Sequence, residues 1–224
     1  EQLAANESVL TADERELGVA LVDIGGGTTD LAIFERGSLW HTGVVVMGGD
    51  HFTNDIAVGL RTPIPDAEKT KRRSGCALAS LVDEDETIEV ASVGGREPRV
   101  MSRRVLSEVL QPRAEEIFHA LWDEIRRAGY ERSLHSGLVL CGGGALLEGM
   151  AEIAEQIFDL SIRRGCPIDV GGLSDHVSSP SFATGVGLVK YAHRNQRREQ
   201  RRLGGVGTLS SLAGRFSGLF KDFF

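Results

Sequence analysis

No run of apolar residues in this chain approaches the ~20 that a helix needs to cross a bilayer, and no secretory signal precedes its first charged stretch. Cysteine is scarce: Cys76, Cys141 and Cys166 are odd in number, far apart and without a C-x-x-C pair. That pattern offers neither a disulfide framework nor a zinc site and suits a reducing cytosol. The histidines (His41, His51, His119, His135, His176, His193) have no metal-ligand spacing. Basic residues are outnumbered, 25 Lys and Arg against 32 Asp and Glu, so the net charge of −7 disfavours wholesale binding to nucleic acid. The two commonest nucleotide signatures, G-x-x-x-x-G-K-[ST] and G-x-G-x-x-G, are both missing.

What remains is the composition of a globular protein, 41% hydrophobic and 25% charged. At 224 residues it can hold one large or two small cored domains. Residues 1–16 are polar and read as a helix remnant followed by a loop. Val19–Ile24, Thr28–Phe34 and Leu39–Met47 read as a meander of three strands with tight turns at Gly25-Gly26-Gly27 and Arg36-Gly37-Ser38. Gly48-Gly49-Asp50 opens a helix with Phe52, Ile56, Ala57 and Leu60 on one face, and a shorter helix is expected over Asp66–Arg73. Strand-like runs follow at Thr87–Val93 and Pro98–Met101, past an acidic patch at Asp83–Glu86. Ser102 caps a long amphipathic helix ending near Gly129, with Val105, Val109, Ile117, Leu121 and Ile125 on one side. Gly137–Leu140 reads as a buried strand, Ala145–Phe158 as a helix, Ile162–Pro167 as a last strand, and Pro180–His193 as a loop becoming a helix. Strands and helices mixed in this order argue for an α/β fold.

The segment Asp23-Ile24-Gly25-Gly26-Gly27-Thr28-Thr29-Asp30 carries the most chemistry. Asp23 stands where a buried strand emerges. Gly25, Gly26 and Gly27 let the backbone approach a ligand and turn N–H groups inward, which suits phosphate oxygens. Thr28 and Thr29 add hydroxyl donors. An acid beside phosphates needs an intervening cation, so Asp23 implies Mg²⁺ held through water. Read alone, three glycines could be turn punctuation; the acid and two threonines beside them point to phosphate.

D-I-G-G-G-T-T-D resembles the second phosphate motif of the actin-like ATPases. A second turn, Gly142-Gly143-Gly144-Ala145 after Leu140-Cys141, resembles the adenosine motif of that superfamily. Ala67-Glu68-Lys69-Thr70-Lys71 resembles its A-E-x-x-K segment, by which Glu68 and Lys71 are implied to reach the ribose and base; read alone, the pair is a surface salt bridge. Leu10–Gly18, Gly48–Ala57 and Ser102–Ile117 narrow the resemblance to the FtsA family, and the similarity runs from about Leu10 to about Ala192.

The resemblance implies one lobe of an actin-like ATPase, ribonuclease H-like, built from residues 1–65 and 135–193. A small α/β subdomain, 66–134, would be inserted in it as the candidate contact for the C-terminal peptide of FtsZ. It implies ATP and Mg²⁺ as cofactors and self-association into filaments. It also implies contact with inner-membrane lipids and other division proteins, at the cytoplasmic face of the membrane at the septum. Turnover would be weak, and no water-activating residue is identifiable. The family's first phosphate motif and its self-association subdomain precede this region, and the chain opens on Glu1, so it is read as a fragment with half an ATP site. Related actin-like scaffolds such as MreB or PilM, or a sugar-kinase-type phosphotransferase, would share the glycine loops.

The C-terminal end gives an independent signal. Residues 194–208 form a basic, glycine-containing linker, with five arginines between Arg194 and Arg202. On a helical wheel Leu209, Leu212, Phe216, Leu219, Phe220, Phe223 and Phe224 share an arc of roughly 140°, with Arg215 and Lys221 outside it. Four phenylalanines in this last segment need cover from protein or lipid. The tether-like linker and its arginines favour an anionic lipid surface, on which a C-terminal amphipathic helix over 209–224 would lie.

Overall fold

The computed structural model describes residues 1–172 and 174–196. The linker beyond 196 and the expected membrane-contacting residues from Leu209 to Phe224 lie outside the described residues.

The frame is a five-stranded sheet of β1 (Val19–Ile24), β2 (Thr29–Glu35), β3 (Ser38–Val45), β6 (Leu138–Cys141) and β7 (Ile162–Arg164), in the order β3-β2-β1-β6-β7. The meander is antiparallel, whereas β6 joins β1 in parallel and β7 joins β6 in parallel. The crossover from β3 to β6 carries α3 (Gly49–Gly59), α4 (Ile64–Ser74), the hairpin strands β4 (Thr87–Val90) and β5 (Arg99–Ser102), and α5 (Arg103–Ala128). After β6 come α6 (Met150–Phe158), then α7 (Ser174–Val177) and a helix over residues 183–196, here α8.

Side-chain alternation along β1 divides the interior in two. Ala20, Val22 and Ile24 join Leu31 and Ile33 in the larger core beneath α3, α5 and α6. Val19 and Leu21 join Ala32, Phe34 and Val139 in a smaller core beneath α1 (Gln2–Val9) and Ala183 of α8. Ala67, Val90, Leu106 and Leu110, from the 66–134 segment, belong to that same larger core as the sheet.

Several sequence expectations change. The polar N-terminal stretch is two helices, α1 and α2 (Ala12–Leu17), and not a helix remnant with a loop. Small residues explain α1: Ala4, Ala5 and Ser8 are buried, and the α-carbon of Gly187 in α8 packs against the Ala4 carbonyl. α2 begins with a reciprocal cap in which the Thr11 hydroxyl accepts from Glu14 N–H and Glu14 accepts from Thr11 N–H. α4 starts two residues earlier than expected, after Pro63, because proline is compatible with a first helical turn.

The face of α5 is displaced by one position at its start. Leu106, Leu110, Ala114, Ile117, Phe118, Leu121 and Ile125 are buried, whereas Val105 is exposed. Pro112 lies inside the unbroken helix, and Gly129 closes it in a left-handed conformation. The helix expected from Ala145 begins only at Met150: Gly144–Leu146 is a single 3₁₀ turn, Leu147 is extended and Gly149 has a φ of 82°.

Candidate functional site: a cleft between two glycine turns

The turn after β1 is held from both sides. Gly25 N–H donates to the Thr28 carbonyl at 2.9 Å, closing the loop. The Gly25 and Gly26 carbonyls accept from the N–H groups of Gly49 and Asp50, at 2.9 and 2.8 Å. The first turn of α3 is therefore anchored on the glycine loop. Gly48 has to be glycine: a β-carbon there would lie 2.7 Å from both carbonyl oxygens. Gly27 is exposed with open space around its α-carbon.

Asp23 and Asp30 stand directly opposite each other in the β1–β2 register. The Thr184 hydroxyl of α8 donates to Asp23 Oδ2 at 3.1 Å, and the Thr28 hydroxyl donates to Asp30 Oδ2 at 3.1 Å. Burial raises the Asp23 pKa above the ordinary carboxylate value; the Thr184 hydrogen bond opposes this and the Asp30 charge adds to it. Cys141 lies beside Asp23 in the neighbouring strand, and burial, then the nearby carboxylate, push its thiol upward. This thiol is not a nucleophile near neutral pH. Among the described residues no three His, Cys, Asp or Glu side chains are grouped to hold a metal.

The second turn packs onto the first strand. Gly142 has a φ of 82° and its N–H donates to the Pro180 carbonyl at 3.1 Å. Gly144 lies against Ile24, and Ala145 is fully buried. The late start of α6 corrects one expectation, because the dipole of a regular helix does not begin at these glycines.

Lys71 and Glu68 project from α4 toward α3. The Lys71 ammonium meets Glu68 Oε2 at 2.6 Å and donates to the Gly49 carbonyl at 2.7 Å and Thr53 Oγ1 at 2.8 Å. The Thr53 hydroxyl donates to Glu68 Oε2 at 2.5 Å. Burial works to raise the Glu68 pKa, but the Lys71 and Thr53 hydrogen bonds outweigh it and hold the carboxyl below its ordinary value. Lys71 thus has three protein acceptors for its three protons, while Glu68 Oε1, among the described residues, meets only Arg72, at 3.9 Å.

These elements surround one cleft of about 500 Å³. Gly25, Gly26, Gly143, Gly144, Glu68 and Lys71 all line it. Gly27, Gly142 and Ala145 are adjacent in sequence to its lining residues, and Asp23 and Thr28 lie two positions away, but none of the five lines it. Thr29 is turned away: its fully buried hydroxyl donates to the Met47 carbonyl at 2.8 Å, on the face of β2 that carries Leu31 and Ile33. Period-two alternation from Asp30 would have shown this. Residues that sequence reasoning passed over include Gly49, Asp50, Ser181 and Arg103, which line the cleft, and Thr184 behind it. Arg103 bonds the Ser74 carbonyl, Glu86 at 2.7 Å and Glu148, so it braces the outer wall.

A second concavity, about 390 Å³, lies between α3 and α5. Val58, Val109 and Pro112 give it apolar walls, and Arg113 gives it a cation. The Arg113 guanidinium grips Asp55 with two bonds, 2.7 and 3.0 Å, and also meets Glu116 at 2.5 Å.

Comparison with known proteins identifies the family and the fold. The family model "Cell division protein FtsA" matches residues 20–187. The FtsA of Pseudomonas aeruginosa is 53% identical over 196 residues, 88% of this chain and 47% of that protein. The FtsA of Escherichia coli is 45% identical over 207 residues, covering 88% and 49%. The FtsA of Bacillus subtilis is 37% identical over 202 residues, covering 90% and 44%. The chain thus spans about half the length of the curated relatives it matches. Among solved structures, ADP-bound MreB5 of Spiroplasma citri superposes with a TM-score of 0.68 at 20% identity, over 88% of this chain and 60% of that one. A PilM–PilN type IV pilus biogenesis complex superposes with a TM-score of 0.64 at 19% identity, over 84% and 50%. The fold is that of the actin-like ATPases, and the chain belongs to the FtsA cell-division family.

Proposed function

We propose that this chain supplies one wall of an ATP site and a docking groove to a cell-division scaffold that self-associates at the inner face of the cytoplasmic membrane and holds FtsZ filaments there. The observation that carries the reading is the convergence of both glycine turns, Glu68 and the α3 N-terminus on a single cleft. The turns are separated by more than a hundred residues, and the parallel pairing of β1 with β6 brings them to the same end of the sheet, where a single ligand can meet both. A relative in fold, MreB5, is described as bound to ADP.

Within the site the glycine loop takes phosphate oxygens on its backbone N–H groups, and Glu68 Oε1 accepts from a ribose hydroxyl. The residues present suit Mg²⁺: Asp23 and Asp30 form a half-buried acidic pair whose mutual repulsion a cation relieves. A single pair of carboxylates fits an ion that keeps most of its waters and takes its other oxygens from phosphate. The cation would neutralise phosphate charge. Lys71 positions α3 against α4, and Arg103 holds the outer wall.

The segment 66–134, with the α3–α5 groove at its base, is the proposed seat of the FtsZ tail. Its apolar walls of Val58, Val109 and Pro112 suit the apolar face of an amphipathic peptide, and the Asp55–Arg113–Glu116 cluster gives it polar partners on one side. The lobe formed by 1–65 and 135–193 carries the nucleotide wall, and 209–224 provides the membrane contact after the 194–208 linker. Among the described residues no helix is long and apolar enough to cross a membrane.

Two measurements test the reading. Titration with a fluorescent ATP analogue and Mg²⁺ should show binding that Asp23→Ala weakens at least about tenfold, the order expected for losing one charged contact. Co-sedimentation with anionic liposomes, with and without residues 209–224 and with FtsZ added, should show FtsZ in the pellet only when the tail is present. A chain that ignores nucleotide, or carries FtsZ down equally well without its tail, overturns the proposal.

A further inference from the structure

The cleft and the α3–α5 groove share one element. Resting on the reading just given, we infer that α3 couples them, so that nucleotide in the cleft tightens the grip on the FtsZ tail, and the tail tightens the grip on nucleotide.

α3 is only eleven residues long, roughly 16 Å at the standard rise. Both its ends are pinned by glycines in close contact. At the N-terminal end a β-carbon on Gly48 would stand 2.7 Å from the Gly25 and Gly26 carbonyls. At the C-terminal end a β-carbon on Gly59 would stand 3.1 and 3.2 Å from the Val109 methyls of α5. Between them Phe52 and Ile56 are buried in the main core, which prevents the helix from bending to absorb a shift. The polar attachments divide in the same way. Gly49 and Asp50 bond the phosphate loop, and Lys71 adds a third tie at the Gly49 carbonyl. One turn further on, Asp55 holds Arg113, and Asn54, Val58 and Gly59 line the groove.

A phosphate seated on the Gly26 and Gly27 amides fixes the loop whose carbonyls receive α3. A peptide in the groove sets the position of the same rigid helix from its other end. The second ligand then meets a helix already held where that ligand needs it, which gives positive cooperativity without any large movement. Thermodynamic linkage requires the factor to be equal in both directions.

The test uses the full chain. The dissociation constant of a fluorescently labelled FtsZ C-terminal peptide is measured by anisotropy, without nucleotide and with a saturating, non-hydrolysable ATP analogue plus Mg²⁺. The analogue is titrated separately, with and without peptide. The expected result is peptide binding at least about 5-fold tighter with nucleotide, the lower end of ordinary coupling, with the same factor in the reverse titration. Both ligands binding with unchanged affinities overturns the coupling and leaves the proposed function standing. Failure of either ligand to bind overturns the proposed function, and the coupling with it.

Discussion

Gly142 lies so close to Asp23 that a β-carbon on the glycine would stand 2.2 Å from Asp23 Oδ1 and 2.5 Å from the Ile24 carbonyl. The second glycine turn is therefore shaped by the first motif's acid as well as by the left-handed backbone at Gly142. Gly142→Ala should cost about 1–3 kcal/mol from the backbone alone. It should also drive the Asp23 carboxylate from its Thr184 hydrogen bond. Thermal unfolding together with an ATP-analogue titration checks both, and a variant with unchanged melting point and nucleotide affinity would refute the contact.

Acid should weaken the link between the N-terminal helices and the sheet edge. Arg163 of β7 meets Glu14 with two bonds, 2.6 and 2.8 Å, and also donates to the Val9 carbonyl at 2.7 Å. Burial works to raise the Glu14 pKa, but the Arg163 and Thr11 bonds prevail and hold it below its ordinary 4.5. A lowered carboxylate pKa contributes stability above the unfolded value and loses it as pH falls through the folded one. Glu14→Gln keeps a capping amide and removes the charge, so it should be about 1–2 kcal/mol less stable at pH 7. The difference from the unmodified chain should close as pH drops below 4.5. Urea melts at several pH values measure this, and a constant difference would remove Glu14 from the linkage.

The legible part of the sequence was whatever repeats at short range. Glycine turns after apolar runs located β1, β6 and both loops, and the Ser102 and Gly129 caps set the ends of α5. Relations across long separations were not legible. Thr184 and Asp23 are 161 residues apart, and Lys71 reaches Gly49 over 22, so only the fold shows them bonded. Composition misled for α1, where small residues are buried because another helix packs closely, although the segment looks polar. Thr29 belonged to a phosphate-binding pattern by position, yet strand alternation turned it into the core.

Lys71 should act mainly on the shape of the site. Its ammonium side chain is 13% exposed and all three protons are used within the protein. Lys71→Met leaves Glu68 and the Gly49 carbonyl without their cation, so stability should fall by about 1–2 kcal/mol. Nucleotide affinity should fall too, because α3 loses its tie to α4. Thr53→Val, which touches the same network one helix over, should weaken nucleotide binding in the same direction. Calorimetric titration of both variants tests this; a loss confined to Lys71→Met would instead make the lysine a direct ligand contact.

The deepest mechanical joint lies between α5 and α6. Phe118 and Phe158 meet edge to face with ring centres 5.9 Å apart, and Trp122 meets Phe158 similarly at 5.3 Å. Phe118 is fully buried, so Phe118→Ala opens a void that neighbours in regular helices fill only in part. The expected cost is about 3–5 kcal/mol. Trp40 is half-exposed and Trp122 packs on the core, so emission from Trp122 reports the joint selectively. In guanidinium melts Phe118→Ala should lower the midpoint, and Trp122 emission should shift to the red before far-ultraviolet ellipticity is lost. Coincident transitions at the unmodified midpoint would show that α5 is held by other contacts, chiefly Leu121 and Ile125 against the sheet.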